Sequence, residues 1–267
     1  MRNLLLSLLI MFTASTAVVA EDVSAYLTGE HMDAKSARKK LKSIGYEVLT
    51  TYSSVKDGHT IVFTNDRLKA EGAKPKRAHA AVLRLFVDDK EQMISITNPV
   101  YFGRAFMQDD YNENVFNAEL ENLSGAFELE GSADKLDSDD IAGFHFMMAM
   151  PYYEDADELG KGSQGELISK ANGYKKGKNV IFELKLSDNS TLIGYDLGKR
   201  TKKFVKKIGR ANAAVLPYTI AIEDGVASAL AAKYYLAISY PLLTMGQFMT
   251  ISTVPGAILK DLEKPFK

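Results

Sequence analysis

The chain has 267 residues, of which 46% are hydrophobic and 25% charged, so it is long enough to bury a substantial core. Its formal net charge of −1 gives no general affinity for polyanions. It contains no cysteine, which excludes disulfides, thiolate metal sites, a thiol nucleophile and haem attached through Cys-x-x-Cys-His.

The N-terminal segment MRNLLLSLLIMFTASTAVVA (1–20) has the pattern of a cleavable export signal. Arg2 supplies the positive charge, Leu4–Phe12 the apolar region, and Val18–Ala20 the small-residue cleavage site before Glu21. No later stretch reaches the roughly 20 apolar residues of a membrane helix. We therefore expect a periplasmic protein without a transmembrane segment and without nucleic acid as a partner, since an exported chain of this size without cysteine is typical of bacteria.

The first predicted elements are a helix and a β-hairpin. The stretch DAKSARKKLKSIG (33–45) predicts a helix that Asp33 caps and Gly45 ends. The β-rich runs 46–53 and 59–65 flank a Lys-Asp-Gly turn, whose Asp-Gly pair suits a tight hairpin.

The chain then repeats itself. RAHAAVLRLFVDDKEQ (77–92) returns 133 residues later as RANAAVLPYTIAIEDG (210–225). The runs 179–186 and 190–197 predict a second hairpin that corresponds to the first. Each copy is predicted to fold in the order helix, strand, strand, helix, strand, strand, helix.

The repeat continues downstream with a different spacing. ISITNPVYFGRAFM (94–107) matches LAISYPLLTMGQFM (236–249), which aligns Pro99 with Pro241. Pro241 follows Pro99 by 142 residues, so we expect an insertion of nine residues in the second copy.

Residue alternation in the third strand of each copy predicts which side meets the helices. That side carries Leu83, Leu85, Val87, Leu216, Tyr218, Ile220 and Ile222. The opposite side is also largely apolar, so either the sister copy or a second chain in a homodimer is expected to cover it. It carries Val82, Phe86, Val215, Thr219 and Ala221.

These patterns predict an α+β fold of two tandem related modules, each a mainly antiparallel sheet with helices packed on one face. The predicted order is signal peptide 1–20, first module 21–113, connector 114–140 and second module 141–267. The connector is rich in scattered carboxylates, which are typical of a solvated segment.

Four stretches resemble domain-of-unknown-function family 302, a small α+β module found in bacteria and archaea that has no general activity assigned to it. They are AKSARKKLKSIGYEVLTTYSSVK (34–56), TIVFTNDRLKA (60–70), AAVLRLFVDDKEQMISITNP (80–99) and, in the second copy, AAVLPYTIAIEDG (213–225). Many members of that family carry Cys-Asn-Pro where this chain has Thr64-Asn65-Asp66, so any thiol role is absent here. The resemblance implies architecture and no chemistry.

The Met-rich stretch GFHFMMAMPYY (143–153) predicts a buried strand, the first strand of the second module. A soft-metal site is the alternative, with His145 and Met147 as weak candidate ligands because both side chains suit copper and share one face of a strand. The acidic and glycine-rich segment 152–166 lacks the spacing of a calcium loop, so we interpret it as a linker. No cofactor is expected.

The strongest charge feature is KRTKKFVKKIG (199–209), which predicts a helix with one apolar stripe and a basic remainder. The basic side could meet anionic lipid head groups, a cell-wall polymer or an acidic partner, or it could be a solvated helix face. The candidate patch for an anionic partner consists of Lys199, Arg200, Lys202, Lys203, Lys206 and Lys207.

No catalytic arrangement is visible: the histidines have no metal-ligand spacing, and no Gly-x-Ser-x-Gly elbow or phosphate-binding loop occurs. We predict a non-enzymatic protein that binds a small molecule or an envelope component; the alternatives are an assembly factor of an envelope complex and a soft-metal carrier. The predicted ligand site lies at helix starts after Pro99 and Pro241, where Asn98 and Ser239 can act as N-caps. Its candidate contacts are Asn98, Tyr101, Phe102, Tyr240 and Met245.

Overall fold

The computed structural model describes residues 21–267, so the predicted export signal lies outside the described residues. Helices and antiparallel strands form an α+β fold, as predicted. The strands are β1 (Asp22–Ser24), β2 (Tyr26–Glu30), β3 (Glu47–Val55), β4 (Gly58–Thr64), β5 (Leu83–Asp88), β6 (Met93–Thr97), β7 (Glu130–Gly131), β8 (Lys135–Asp137), β9 (Asp157–Lys161), β10 (Val180–Lys185), β11 (Ser190–Tyr195), β12 (Tyr218–Glu223) and β13 (Val226–Ala229). The helices are α1 (Ala34–Ser43), α2 (Asp66–Gly72), α3 (Pro99–Met107), α4 (Glu113–Ala126), α5 (Gln164–Gly173), α6 (Val205–Ile208), α7 (Ala232–Ser239), α8 (Met245–Thr250) and α9 (Val254–Glu263).

The two larger sheets share one strand order over five strands, and the first sheet carries β7 in addition. The first sheet runs β3-β4-β5-β6-β2-β7 and the second runs β10-β11-β12-β13-β9, with antiparallel pairing throughout. In both sheets, the strand that comes before the first helix of its copy returns to the far side. Strand β2, which precedes α1, pairs with β6, and strand β9, which precedes α5, pairs with β13. Strands β1 and β8 form a separate small ladder. The common order supports the prediction of two related modules, whose boundaries stay a prediction.

The local signals of the first copy produce the predicted elements. The Asp33 carboxylate accepts hydrogen bonds from the backbone N–H groups of Lys35 and Ser36 at 2.9 and 3.0 Å, and so caps α1. Gly45 ends the helix region with a φ of +91°, a conformation in which glycine is unstrained. The hairpin turn between β3 and β4 places Asp57 at a φ of 54°.

The first strand of the second sheet was predicted wrongly. Segment 143–153 forms turns and irregular structure, and the strand that pairs with β13 is β9, which lies inside the predicted linker 152–166. Strand β9 is polar because it lies at the edge of its sheet and buries only Leu159. The apolar run 143–153 therefore does not form the strand that its pattern predicts, while the polar edge strand β9 has no sequence signal.

The predicted helix start at Pro241 was also wrong. Helix α7 begins at Ala232, 133 residues after Pro99, so the expected insertion of nine residues does not separate the corresponding helices. Ser239 is the last residue of α7 and not an N-cap, and the next helix begins at Met245 after an N-cap at Thr244. The sequence match aligned Pro99 with Pro241, whereas the structure aligns the start of α3 at Pro99 with the start of α7 at Ala232.

The apolar core has two clusters. The larger one holds the helix-facing sides of both sheets and helices α3 and α7. The smaller one joins residues of the two sheets, so that each sheet covers part of the second face of the other. Its buried members are Val62, Ala78, Ala81, Val82, Phe182, Leu184, Leu192 and Ala221.

Candidate functional site

A pocket of about 460 Å³ lies between the loop before β5 and the second sheet. Its walls come from three segments that are distant in the chain: the loop 75–79 before β5, the segment 153–158 that enters β9, and the β12–β13 hairpin with its flank, 223–230. This volume is within the range of small-molecule sites, which often occur between structural units.

One wall of the pocket is a buried histidine. His79 is 6% exposed, and its Nδ1 lies 2.9 Å from the hydroxyl oxygen of Thr219 on β12, so it links the two copies. Burial and the nearby positive charge of Arg84 lower the pKa of His79 to about 3, which leaves the ring neutral at physiological pH. Its Nε2 makes no hydrogen bond within residues 21–267 and is therefore the ring nitrogen available to a ligand.

A second wall is acidic. Glu154 and Glu158 line the pocket, but each forms an ion pair. Glu154 lies 3.0 Å from the Arg77 guanidinium, and Glu158 lies 3.0 Å from the Lys161 ammonium group. Glu223, by contrast, makes no ion pair within residues 21–267.

Burial raises the pKa of Glu223, although hydrogen bonds from the Lys76 backbone and the Ser190 hydroxyl act in the opposite direction. Asp224 adds a further carboxylate in the hairpin turn, and Lys76 is the cation that lines the pocket. Within the described residues, the unpaired charge at the pocket is therefore predominantly negative.

The remaining wall is apolar and rigid. Tyr153 is 3% exposed, and its hydroxyl donates a hydrogen bond to the Lys76 carbonyl oxygen at 2.6 Å. Its ring stacks on Phe106 with centroids 6.0 Å apart, and the Arg77 guanidinium lies 5.5 Å from the ring centroid. Aliphatic surface comes from the β13 side, where Leu230 lines the pocket. A pocket lined by both apolar side chains and carboxylates suits a ligand with both an apolar part and a positive charge.

The residues predicted at the starts of the helices are mostly buried in the core. Asn98 is the N-cap of α3: its Oδ1 accepts from Val100 N–H at 3.0 Å and its Nδ2 donates to the Ser24 carbonyl at 2.8 Å. Tyr101 and Phe102 are also buried, and the Tyr101 hydroxyl donates to the Ile238 carbonyl oxygen at 3.0 Å. The polar atoms of these residues are thus occupied by the fold, which favours a packing role.

Two further candidates lie near α8. Tyr240 is buried, and its hydroxyl donates to the Gly209 carbonyl oxygen at 2.9 Å beside a small cavity of about 150 Å³. Met245 begins α8 and is 42% exposed. Ligand binding by the five predicted residues stays a prediction.

The candidate metal ligands lie on an irregular loop. His145 packs against Tyr152 with ring centroids 4.3 Å apart, and Met147 is 43% exposed. No group of three or more His, Asp or Glu side chains in residues 21–267 is arranged to hold a metal ion. The strand geometry that would have brought His145 and Met147 to one face does not occur.

The basic segment forms a short 3-10 turn at Thr201–Phe204 followed by α6, close to the predicted helix. Most of its cations are exposed, and Lys202 is an exception because it is half-buried and lies 2.7 Å from the Asp196 carboxylate. The exposed members of the predicted patch are Lys199, Arg200, Lys203, Lys206 and Lys207.

Sequence reasoning missed most of the pocket. Neither His79 nor the loop 75–79 is among the residues predicted for the ligand site. The repeat itself offered a usable signal. If the two copies cover each other, the segment RAHAAV (77–82) of the first copy is expected to pack on the third strand of the second copy. Glu223 and Tyr153 had no comparable signal.

Comparisons with protein-family models, curated proteins and solved structures found no match to this chain. The resemblance to domain-of-unknown-function family 302 therefore stays a prediction. Within residues 21–267, no helix has the length and apolarity that crossing a membrane requires.

Proposed function

We propose that this chain is an exported, non-enzymatic binding protein of the periplasm, built from two related α+β modules, and that the pocket beside His79 binds a small amphipathic cation. The observation that carries the proposal is Glu223, a largely buried carboxylate without an ion-pair partner in residues 21–267 that lines this pocket. A buried carboxylate is stabilised when a cation approaches it, so a cationic ligand would supply the missing counter-charge.

The other walls agree with this ligand class. The Tyr153 ring and Leu230 offer apolar contact, while neutral His79 provides a hydrogen-bonding group without adding positive charge. An anionic ligand would have to approach the four carboxylates that line the pocket. Lys76 is the cation in the lining. Electrostatic complementarity therefore selects a cation over an anion of the same shape.

The test compares three probes of similar shape and different charge by isothermal titration calorimetry: phenethylamine, 2-phenylethanol and phenylacetate. We expect measurable binding of the amine, weaker binding of the alcohol and none of the acid. Glu223→Gln should reduce the affinity for the amine about tenfold or more, which corresponds to about 1.4 kcal/mol. Glu121→Gln, an exposed carboxylate on α4, is the matched control and should bind normally. Equal binding of all three probes, or unchanged affinity in Glu223→Gln, would overturn the proposal.

A further inference from the structure

The exposed large hydrophobic side chains of the described residues are concentrated in two short segments, 147–152 and 242–249. Met148 is 90% exposed and Met249 61% exposed, values unusual for side chains of this kind. The complete set is Met147, Met148, Tyr152, Leu242, Met245 and Met249. Exposed apolar residues that are concentrated in this way mark an interaction surface, whereas scattered single ones carry no such meaning.

The two segments touch each other. The rings of Phe146 and Phe248 pack with centroids 5.1 Å apart, and Phe248 is buried while its neighbours in α8 are exposed. Met147 follows Phe146 in the chain and Met249 follows Phe248, so the exposed methionines adjoin this ring pair. Met147 and Met249 therefore flank one aromatic contact that joins the loop 143–152 to α8.

Positive charge borders the same surface. Helix α6 packs against α8, and the Lys207 ammonium group donates a hydrogen bond to the Thr250 carbonyl oxygen at 3.0 Å. Lys203 and Lys206 are exposed beside it. The loop 143–152, α6 and α8 contain no acidic residue, and the Asp155 carboxylate, which accepts a hydrogen bond from the Tyr152 N–H at 2.9 Å, borders the surface at one end.

We propose that this apolar and basic surface, formed by the loop 143–152 with α6 and α8, docks on an anionic phospholipid bilayer. Flexible methionine and leucine side chains can enter the boundary between head groups and acyl chains, while lysines at the same level meet anionic head groups. A second copy of the chain is disfavoured as the occupant because it would bring two surfaces of like charge together. The surface shares no lining residue with the pocket beside His79, so the two proposals are tested separately.

The test is co-sedimentation of the purified chain with vesicles. We expect binding to vesicles of phosphatidylcholine mixed with phosphatidylglycerol, no binding to pure phosphatidylcholine, and loss of most binding at about 0.5 M salt, where surface charges are screened. The triple variant Lys203→Gln, Lys206→Gln, Lys207→Gln should reduce partitioning at least tenfold. The triple variant Lys35→Gln, Lys39→Gln, Lys42→Gln removes the same charge from exposed positions of α1 and should bind like the unmodified chain.

The apolar contribution is tested separately with Met148→Ser. This side chain is almost fully exposed, so its replacement leaves the fold intact, and partitioning should fall several-fold. Absence of binding to anionic vesicles, or equal binding by the α6 and α1 triple variants, would overturn the proposal. So would a concentration-dependent dimer in light scattering that Met148→Ser disrupts, because the surface would then serve a second copy.

Discussion

Tyr101 and Tyr234 make the same hydrogen bond in opposite directions. Tyr101 is the third residue of α3 and donates to the carbonyl oxygen of Ile238, the seventh residue of α7, at 3.0 Å. Tyr234 is the third residue of α7 and donates to the carbonyl oxygen of Ala105, the seventh residue of α3, at 3.1 Å. A reciprocal contact of this kind is characteristic of a two-fold relation between copies. It supports duplication of one ancestral unit.

The reciprocity predicts equal energetic effects. Tyr101→Phe and Tyr234→Phe each remove a buried hydrogen bond to a carbonyl oxygen, so each should lower the free energy of unfolding by about 1 kcal/mol. Urea denaturation of both variants measures this. Tyr152→Phe, at an exposed position, is the control and should be neutral. A loss confined to one of the two core variants would contradict the symmetric arrangement.

A second link between the copies is the pair of Arg210 and Asp88. The Arg210 guanidinium contacts both oxygens of the Asp88 carboxylate, at 2.6 and 2.7 Å, and donates to the backbone carbonyls of Lys56 and Asp57 in the first hairpin. Arg210→Met leaves a buried carboxylate unpaired, so we expect a loss of about 3 kcal/mol of unfolding free energy in urea. Arg200→Met, at an exposed position, should cost little.

The same pair predicts an acid-dependent stability. Burial raises the pKa of Asp88, but hydrogen bonds from Arg210 and from the backbone of Glu91 and Lys90 outweigh it, so the pKa is lowered overall. The pair therefore stabilises the fold above the unfolded-state pKa of about 3.9, and this stabilisation is lost as the pH falls through the lower folded-state value. Asp88→Asn should show a flatter dependence of stability on pH below about 4. An unchanged slope would show that Asp88 is not responsible.

His79 predicts a different pH window. The folded-state pKa of about 3 lies below the unfolded-state value of about 6.5, so the unfolded chain binds one more proton between them. Stability should fall by up to about 1.4 kcal/mol per pH unit as the pH drops through this interval. His79→Asn, which introduces the residue found at Asn212 in the second copy, should remove this component. The measurement is the free energy of unfolding of both proteins between pH 4 and 7. An equal dependence of this free energy on pH in the two proteins would contradict the account.

A buried carboxylate holds α4 on the first copy. Glu119 is fully buried and accepts hydrogen bonds from the Tyr46 hydroxyl, from Asn65 Nδ2 at 2.9 Å and from Arg67 Nε at 2.7 Å. Glu119→Gln removes the charge that these donors require, so we expect a loss of about 2–3 kcal/mol of unfolding free energy. Glu121→Gln on the exposed side of the same helix should be neutral, and equal stability of the two variants would contradict this role.

Cation binding in the pocket should also depend on pH. Because burial raises the pKa of Glu223, the carboxylate becomes protonated at a higher pH than an exposed glutamate would. The affinity for phenethylamine should therefore decrease as the pH falls through that raised pKa, while the amine itself stays protonated. Calorimetry at several pH values measures the decrease. The affinity of Glu223→Gln should be low and independent of pH over the same range, and a matching decrease in this variant would assign the effect to another group.

Elements with local signals could be predicted from the amino-acid sequence. The cap at Asp33, the hairpin turn at Asp57 and the alternation along β5 and β12 each depend on residues a few positions apart, so pattern reasoning predicted them. The repeat of 77–92 in 210–225 likewise predicted two units of one order, and it left open whether the sister copy or a second chain covers the second sheet face.

The position of the candidate site depends on contacts between distant segments, which the sequence patterns do not reveal. The pocket combines loop 75–79, segment 153–158 and hairpin 223–230, and its shape and charge arise from packing between residues that are distant in the chain. Strand β9 was missed for a related reason, since an edge strand is held by backbone hydrogen bonds to β13, and these require no apolar side-chain pattern. Local propensity is encoded within a few residues, but burial and the pairing of charges depend on which distant segments meet.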